Sequence, residues 1–451
     1  MPDYLFFRIS SADGIFNQTR GMIQPTDQQT PQKAKTHFRE THFQEIHKRI
    51  MPDGKQYSFT MTDLWELTKK AKAGDIEAQL AVAHAFETGE GIEQNIQEAF
   101  NWYKLASENG DAEGYYRAGC CVRKLAPNKS ETIAKWFYEA ARIGHLKAQI
   151  ELGLYGYYES LPVEDKEKAE IYWLRKAAEQ GDEKSQTKLG IKLSDLCYFE
   201  EAVSWFIKAS EQGSADAKYH LGELYRKGLG VESSPEKAFH LYKESAEGFC
   251  PEGMRELGKC YLEGIGTDED ENEAFYWFKE GAGFDDAESY YHLGRCYHSG
   301  WGTVYDDEEE FSAFQEAVEW SNLNDTPLPE AKLMLGICYY DGTGVDVDYE
   351  EAIRLFEQAA EEGVASAFYM LGECYYHGHG VRKNRKKAFS YYLQTAEKEE
   401  HDDAEYSLGV CYENGEGTKE DILKAIYWYT KAEIDGSYEA KERLDILLQR
   451  K

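Results

Sequence analysis

No apolar run in this chain of 451 residues approaches membrane-spanning length, and basic residues are scarce: 51 Lys and Arg stand against 83 Asp and Glu. The first lack argues against a transmembrane helix. The second leaves a net charge of −32 at neutral pH, which speaks against nucleic acid and anionic membrane as partners. Before Arg8 the amino terminus offers only Tyr4-Leu5-Phe6-Phe7, whereas a secretory leader needs an apolar core of roughly seven to fifteen residues. A cytosolic, cytoplasmic location is therefore expected. Residues 1–57 hold eight Lys or Arg against six Asp or Glu, so nearly all the negative charge belongs to the remainder of the chain.

That remainder is repetitive. A Leu-Gly pair precedes an aromatic by three residues, and a Gly-x-Gly loop comes next: Leu221-Gly222, Tyr225, Gly228-Leu-Gly230, then Leu257-Gly258, Tyr261, Gly264-Ile-Gly266. The pattern recurs at Gly294, Gly336, Gly372 and Gly409, and Gly222, Gly258 and Gly294 are 36 residues apart. About ten such units predict a repeat solenoid in place of a compact domain. The expected divisions are a non-repeat segment over 1–57, repeats over 58–439 and a capping helix over 440–451. Within the first segment, Leu5 to Ile9 could form a strand and Lys35 to Met51 a basic helix.

Each unit reads as helix A, a Gly-containing loop, helix B and a short turn. Counting from the marker glycine, positions −5, −1, +2 and +3 of helix A share one stripe; in the last unit these are Ala404, Leu408, Cys411 and Tyr412. Helix B carries Ala, an aromatic pair three and four residues on, and a small residue at seven, as in Ala99, Trp102-Tyr103 and Ala106. Gly-Asp pairs such as Gly74-Asp75, Gly110-Asp111 and Gly181-Asp182 should stop one helix and cap the next. Six of nine cysteines (Cys121, Cys260, Cys296, Cys338, Cys374, Cys411) fall two residues after the marker. On stacked units these are expected about 8–10 Å apart, too far for disulfides, and read as reduced core thiols.

These motifs resemble the Sel-1-like repeat, an α/α hairpin related to the tetratricopeptide repeat. The resemblance implies an all-α, right-handed α/α superhelical solenoid. It also implies a non-enzymatic adaptor or scaffold with a protein partner, or else an immunity protein that inhibits a toxic effector, with an enzyme as the remote third alternative. The units around Gly119, Gly153 and Gly190 depart from the pattern by lacking the Gly-x-Gly loop, which predicts a local change of pitch.

The chemistry-bearing residues lead nowhere else. Gly-x-Gly here joins two helices, while a phosphate cradle needs a strand before and a helix after, so no cofactor is expected. His37, His42 and His47 step by five residues, about 140° each time on a helix, and cannot share a metal. No Ser-His-Asp or Cys-His constellation stands out. The acidic runs Asp268 to Glu271 and Asp306 to Glu310 suit helix amino termini, with contact to a basic partner as the alternative. Arg382-Lys383-Asn384-Arg385-Lys386-Lys387 reads as a solvated loop or a local anion or carboxylate contact.

The informative surface is helix A opposite its buried stripe. Position −3 holds Tyr116, Tyr219, Tyr291, Tyr369 and Tyr406, and position +4 adds Tyr157, Tyr340 and Tyr376. One reading is packing between units. The other is a tyrosine ladder facing a protein ligand, which the charge of the chain predicts to be basic.

Overall fold

The computed structural model describes residues 61–162 and 164–449. The expected strand and basic helix of the first segment, with His37, His42 and His47, lie outside the described residues. Among the described residues there are twenty-two α-helices, one 3-10 turn and no strand.

Packing divides them into two units, after Ser214. In the first, a lone helix (Met61–Lys72) precedes four hairpins: Ile76–Thr88 with Ile96–Glu108, Ala112–Leu125 with Ser130–Arg142, Leu146–Gly153 with Lys166–Glu179, and Glu183–Asp195 with Phe199–Glu211. The second has six: Ala215–Lys227 with Pro235–Glu247, Pro251–Glu263 with Glu271–Ala282, Ala287–Ser299 with Asp307–Leu323, Pro329–Asp341 with Tyr349–Glu361, Ala365–His377 with Arg385–Lys398, and Asp402–Asn414 with Ile422–Ile434. A final helix, Tyr438–Gln449, closes it. Each unit is an all-α solenoid in which every helix packs on its neighbours in sequence.

Local chemistry sets the boundaries. Asp75, Asp111 and Asp182 cap their helices by accepting from the amides of Ala78, Gly114 and Ser185. The preceding glycines hold left-handed φ of 98, 83 and 95°, a conformation that ends helix B without the Cβ clash other residues suffer. The acidic runs obey the same logic. Asp270 and Asp306 are amino-terminal caps, with Glu271, Glu273 and Asp307 to Glu310 in the first turns they open.

Why the hairpins close so tightly is visible at the marker glycine. A Cβ on Gly294 would stand 2.7 Å from the Phe314 ring, on Gly222 the same distance from Tyr242, and on Gly258 2.6 Å from Phe278. The second aromatic of helix B therefore lies on bare backbone of its own helix A and is fully buried, while the first aromatic varies: Trp277 and Trp428 are half-buried, and Trp136 and Trp205 are buried. The same ring also reaches the next hairpin: Tyr242 clusters with Met254, Leu257 and Cys260. In the last repeat Ala404, Leu408 and Cys411 are fully buried, and Tyr412 meets Phe389 of the preceding helix B edge-on at 5.3 Å. In the Gly-x-Gly loop the second glycine touches the preceding repeat: a Cβ on Gly380 would lie 2.8 Å from that of Tyr349.

Replacing Gly294 by Val should force the Phe314 ring off its seat and cost about 2 kcal/mol or more, read as a lower urea midpoint. Adding Phe314→Leu to that chain should recover part of the loss. An unchanged midpoint in Gly294→Val would show that the contact is not tight.

Candidate functional site

Helix A presents its outer face through two side-chain rows, and the structure places seven of the eight tyrosines along them. Tyr157 departs from the expectation, because its helix ends at Gly153 and Tyr157 opens the 3-10 turn Tyr157–Ser160. All eight are half-buried, each with its ring against the buried aromatic of a helix B. Tyr116 lies 5.7 Å from Phe137, Tyr219 6.4 Å from Tyr242, Tyr291 6.1 Å from Phe314, Tyr369 5.9 Å from Tyr392 and Tyr406 5.6 Å from Tyr429. Tyr157 meets Phe137 at 5.1 Å, and from the other row Tyr340 meets Phe356 at 6.3 Å and Tyr376 meets Tyr392 at 6.3 Å. Phe137 and Tyr392 are thus each flanked by two of the eight. Each ring packs on the core and keeps part of its surface exposed.

Burial pushes the phenols of Tyr219 and Tyr376 up to about 12 and raises those of Tyr116, Tyr291, Tyr340 and Tyr369. These six are neutral hydroxyls at physiological pH. Histidines extend the aromatic surface, a feature that spacing alone does not reveal. His145 and His401 cap their helices through Nδ1, accepting from Ala148 and Ala404, and their rings lie on Tyr116 at 4.6 Å and Tyr369 at 4.8 Å. Tyr340 Oη and His379 Nδ1 are 2.8 Å apart.

The rows are not uniformly aromatic. In the repeat of Gly258, position −3 is Arg255, buried and paired with Asp286 at 2.7 Å and Glu288 at 3.1 Å. Lys259 beside it pairs with Glu256 at 2.9 Å. Arg295 stands over the rings of Tyr291 and Trp301 at 5.8 and 5.2 Å. Burial, with the charges of Lys259, Arg295 and Arg255, drives the neighbouring His292 down to about 3, so it is neutral at physiological pH. Cations and carboxylates alternate on this stretch.

Beneath the face runs a second polar system. Where the buried helix-B ring is Tyr, its hydroxyl donates to a carboxylate: Tyr103 to Glu87 at 2.8 Å, Tyr242 to Glu223 at 2.5 Å, Tyr392 to Glu373 at 2.6 Å and Tyr429 to Glu413 at 2.9 Å. Burial raises the Glu223 carboxyl, but hydrogen bonds from Arg226, Lys227 and Tyr242 outweigh it and hold the group at about 2.

Among the described residues, one group has metal-like proximity: His401, Asp402 and Asp403, with ligand atoms within 4.8 Å of one another. It opens the helix Asp402–Asn414 with the His401 Nδ1 already engaged as cap, where the helix dipole favours carboxylates without any cation. All nine cysteines are free, eight of them buried and Cys197 exposed. No described helix is long and apolar enough to cross a membrane.

Ten α/α hairpins with recurrent glycine markers define an α-helical repeat protein. The chain belongs to the Sel1 repeat family, which matches residues 76–111, 146–182, 199–214, 215–248, 251–282, 287–320, 329–364, 365–399 and 402–436. The hairpin Ala112–Leu125 with Ser130–Arg142 and the helix Glu183–Asp195 fall outside those matches. Repeats of this kind and the tetratricopeptide kind serve in protein–protein interaction. An uncharacterized protein of Neisseria meningitidis serogroup B is 27% identical over 186 residues, 41% of this chain and 38% of that protein. A chitin synthase regulator of Saccharomyces cerevisiae is 27% identical over 200 residues, 40% of this chain and 28% of its own length. The chain thus matches well under half the length of these curated relatives. Among solved structures, a protective antigen present in uropathogenic Escherichia coli strains, displaying an SLR fold, is 24% identical with a TM-score of 0.61, covering 86% of this chain and 91% of that one. That likeness concerns the fold.

Two measurements probe this region. Glu223 has a folded value of about 2 against 4.5 when free, so its stabilisation is present above pH 4.5 and is lost as pH falls towards 2. Glu223→Gln should therefore flatten the fall of thermal stability across that window; an identical slope in both proteins would refute the assignment. Burial pushes the thiols of Cys121, Cys250, Cys260, Cys296, Cys338, Cys374 and Cys411 up to about 12. Iodoacetamide should accordingly label Cys197 alone in the native protein, and mass spectrometry finding early labels elsewhere would contradict it.

Proposed function

We propose that the chain is a non-enzymatic protein-binding platform, an adaptor or scaffold, whose partner lies against the helix-A face. The observation that carries this reading is the recurrence of seven half-buried tyrosines on that face, each braced by a buried ring. Bracing matters, because an aromatic already held in one rotamer loses little entropy on binding, and neutral phenols supply both apolar area and hydrogen bonds. The partner is proposed to present a basic surface, since a charge of −32 attracts cationic proteins over distance. Eight buried thiols and one exposed one, all free, suit a reducing, cytosolic setting. An inhibitor of a basic toxic effector would use the same face and charge, and differs in holding one partner instead of bridging two.

The experiment is capture from native lysate with the wild-type chain and with Tyr219, Tyr291 and Tyr369 each changed to Phe or Ser. Phe keeps the ring packing and should lower affinity for the captured partner modestly, by about 1 kcal/mol per lost hydrogen bond. Ser should lower it further, with some loss of stability. Association rates should fall steeply as salt rises; wild-type affinity in all six variants, or capture of strongly acidic proteins only, would sink the reading.

A further inference from the structure

Within the second unit, the last two hairpins border a groove of about 1100 Å³. In a chain of net charge −32 its lining is cationic: Arg382, Lys383, Arg385, Lys386, Lys387 and Lys419. Arg382, Lys383, Lys386 and Lys419 form no ion pair with any described residue. Lys387 lies over the Tyr375 ring at 4.5 Å. Arg385 faces Glu416 at 3.4 Å, with Nη1 and Oε2 both buried and both lacking a hydrogen bond.

This placement runs against the electrostatics of the other repeats. Four of the other five second helices in this unit carry carboxylates in their first turn, which suit the positive end of the helix dipole: Glu236, Glu271 with Glu273, Asp307 to Glu310, and Glu350 with Glu351. The fifth, Ile422–Ile434, has none there but is capped by Asp421. The helix Arg385–Lys398 has no acid in its first turn and begins Arg385-Lys386-Lys387 instead. Three cations at a positive helix end repel it and one another, although the chain has acids in surplus. Arg385 is partly compensated by Glu416 and by the Tyr376 ring at 3.3 Å, and Lys387 by Tyr375, whereas Arg382, Lys383, Lys386 and Lys419 have no counter-charge among the described residues. Local rules broken in this way mark sites where something else supplies the compensation.

We infer that this groove docks an acidic peptide segment of a protein partner. Guanidinium and ammonium groups on both walls pair with carboxylates, while Val381, Tyr375 and Thr418 add apolar and hydroxyl surface between them. The volume exceeds what one small inorganic anion fills and matches a stretch of chain. A long nucleic acid would meet the repulsion of the whole acidic chain beyond the groove. The inference does not depend on the tyrosine face and brings a second charge preference, opposite to the first.

Fluorescence anisotropy tests it on the full chain, with a labelled dodecapeptide of Asp, Glu and Leu beside its Asn, Gln and Leu counterpart. The acidic peptide should bind and the amide peptide should not. Lys383→Glu with Lys386→Glu should weaken binding roughly tenfold or more. Both side chains are exposed, so the thermal midpoint should hold; should that variant misfold, Arg382→Gln with Lys419→Gln gives the milder test in the same direction. Equal binding of the amide peptide, indifference to both variants, or tighter binding of a single-stranded DNA oligomer of equal charge would overturn the inference. Any of these would leave the tyrosine reading standing.

Discussion

An aromatic ring lying on bare glycine backbone is the contact on which the hairpins depend. The marker glycine of helix A has no side chain, so the helix-B ring comes down onto the backbone itself: at the eight glycines that meet a ring, from Gly119 under Phe137 to Gly409 under Tyr429, a Cβ would stand 2.5–2.8 Å from it. Gly153 shows the rule from the other side. Its partner is Leu174, and without a ring to hold them apart the helices approach until the Leu174 amide nitrogen is 2.8 Å from where a Cβ would sit. Close packing of this kind leaves little room for an added methyl group; the first hairpin alone carries one at this position, Ala83, buried in a cluster with Tyr103.

The character of the surface derives from that contact. A ring seated on the glycine leaves its outer edge beside positions −3 and +4 of helix A, and tyrosines occupy seven of those positions. Each tyrosine is then both a lid on the core and part of the exposed face. Packing and ligand recognition, which compete as explanations when only spacing is considered, are compatible uses of one side chain: part of it meets Phe or Tyr below, and part is exposed.

Charge has a similar double use. Glu87, Glu373 and Glu413 accept from buried tyrosine hydroxyls, and Glu87 and Glu413 also pair with Lys124 and Arg443 at 2.7 Å. Part of the acidic excess is thus internal structure, needed because a buried phenol without an acceptor costs about 1–3 kcal/mol. Other carboxylates are helix caps and first-turn residues. The field felt by a partner comes from what remains, and in the groove of the last two hairpins its sign is locally reversed.

Periodicity made the repeat, the hairpin and its buried stripe readable, because a 36-residue recurrence of glycine, aromatic and alanine encodes one local packing problem solved again and again. The caps at Asp75, Asp111 and Asp182 were readable for the same reason: they depend on neighbours three residues away. A place two residues after the marker likewise identified six cysteines as core thiols, and all six are buried. The linear pattern left open anything requiring two distant residues to meet. That Glu223 receives the Tyr242 hydroxyl, that Arg255 takes a tyrosine's place and binds Asp286, and that Lys419 joins Arg382 to Lys387 across one groove are matters of tertiary structure. Such pairings depend on where successive hairpins bring side chains through space, and a residue's own neighbours in sequence carry no record of that.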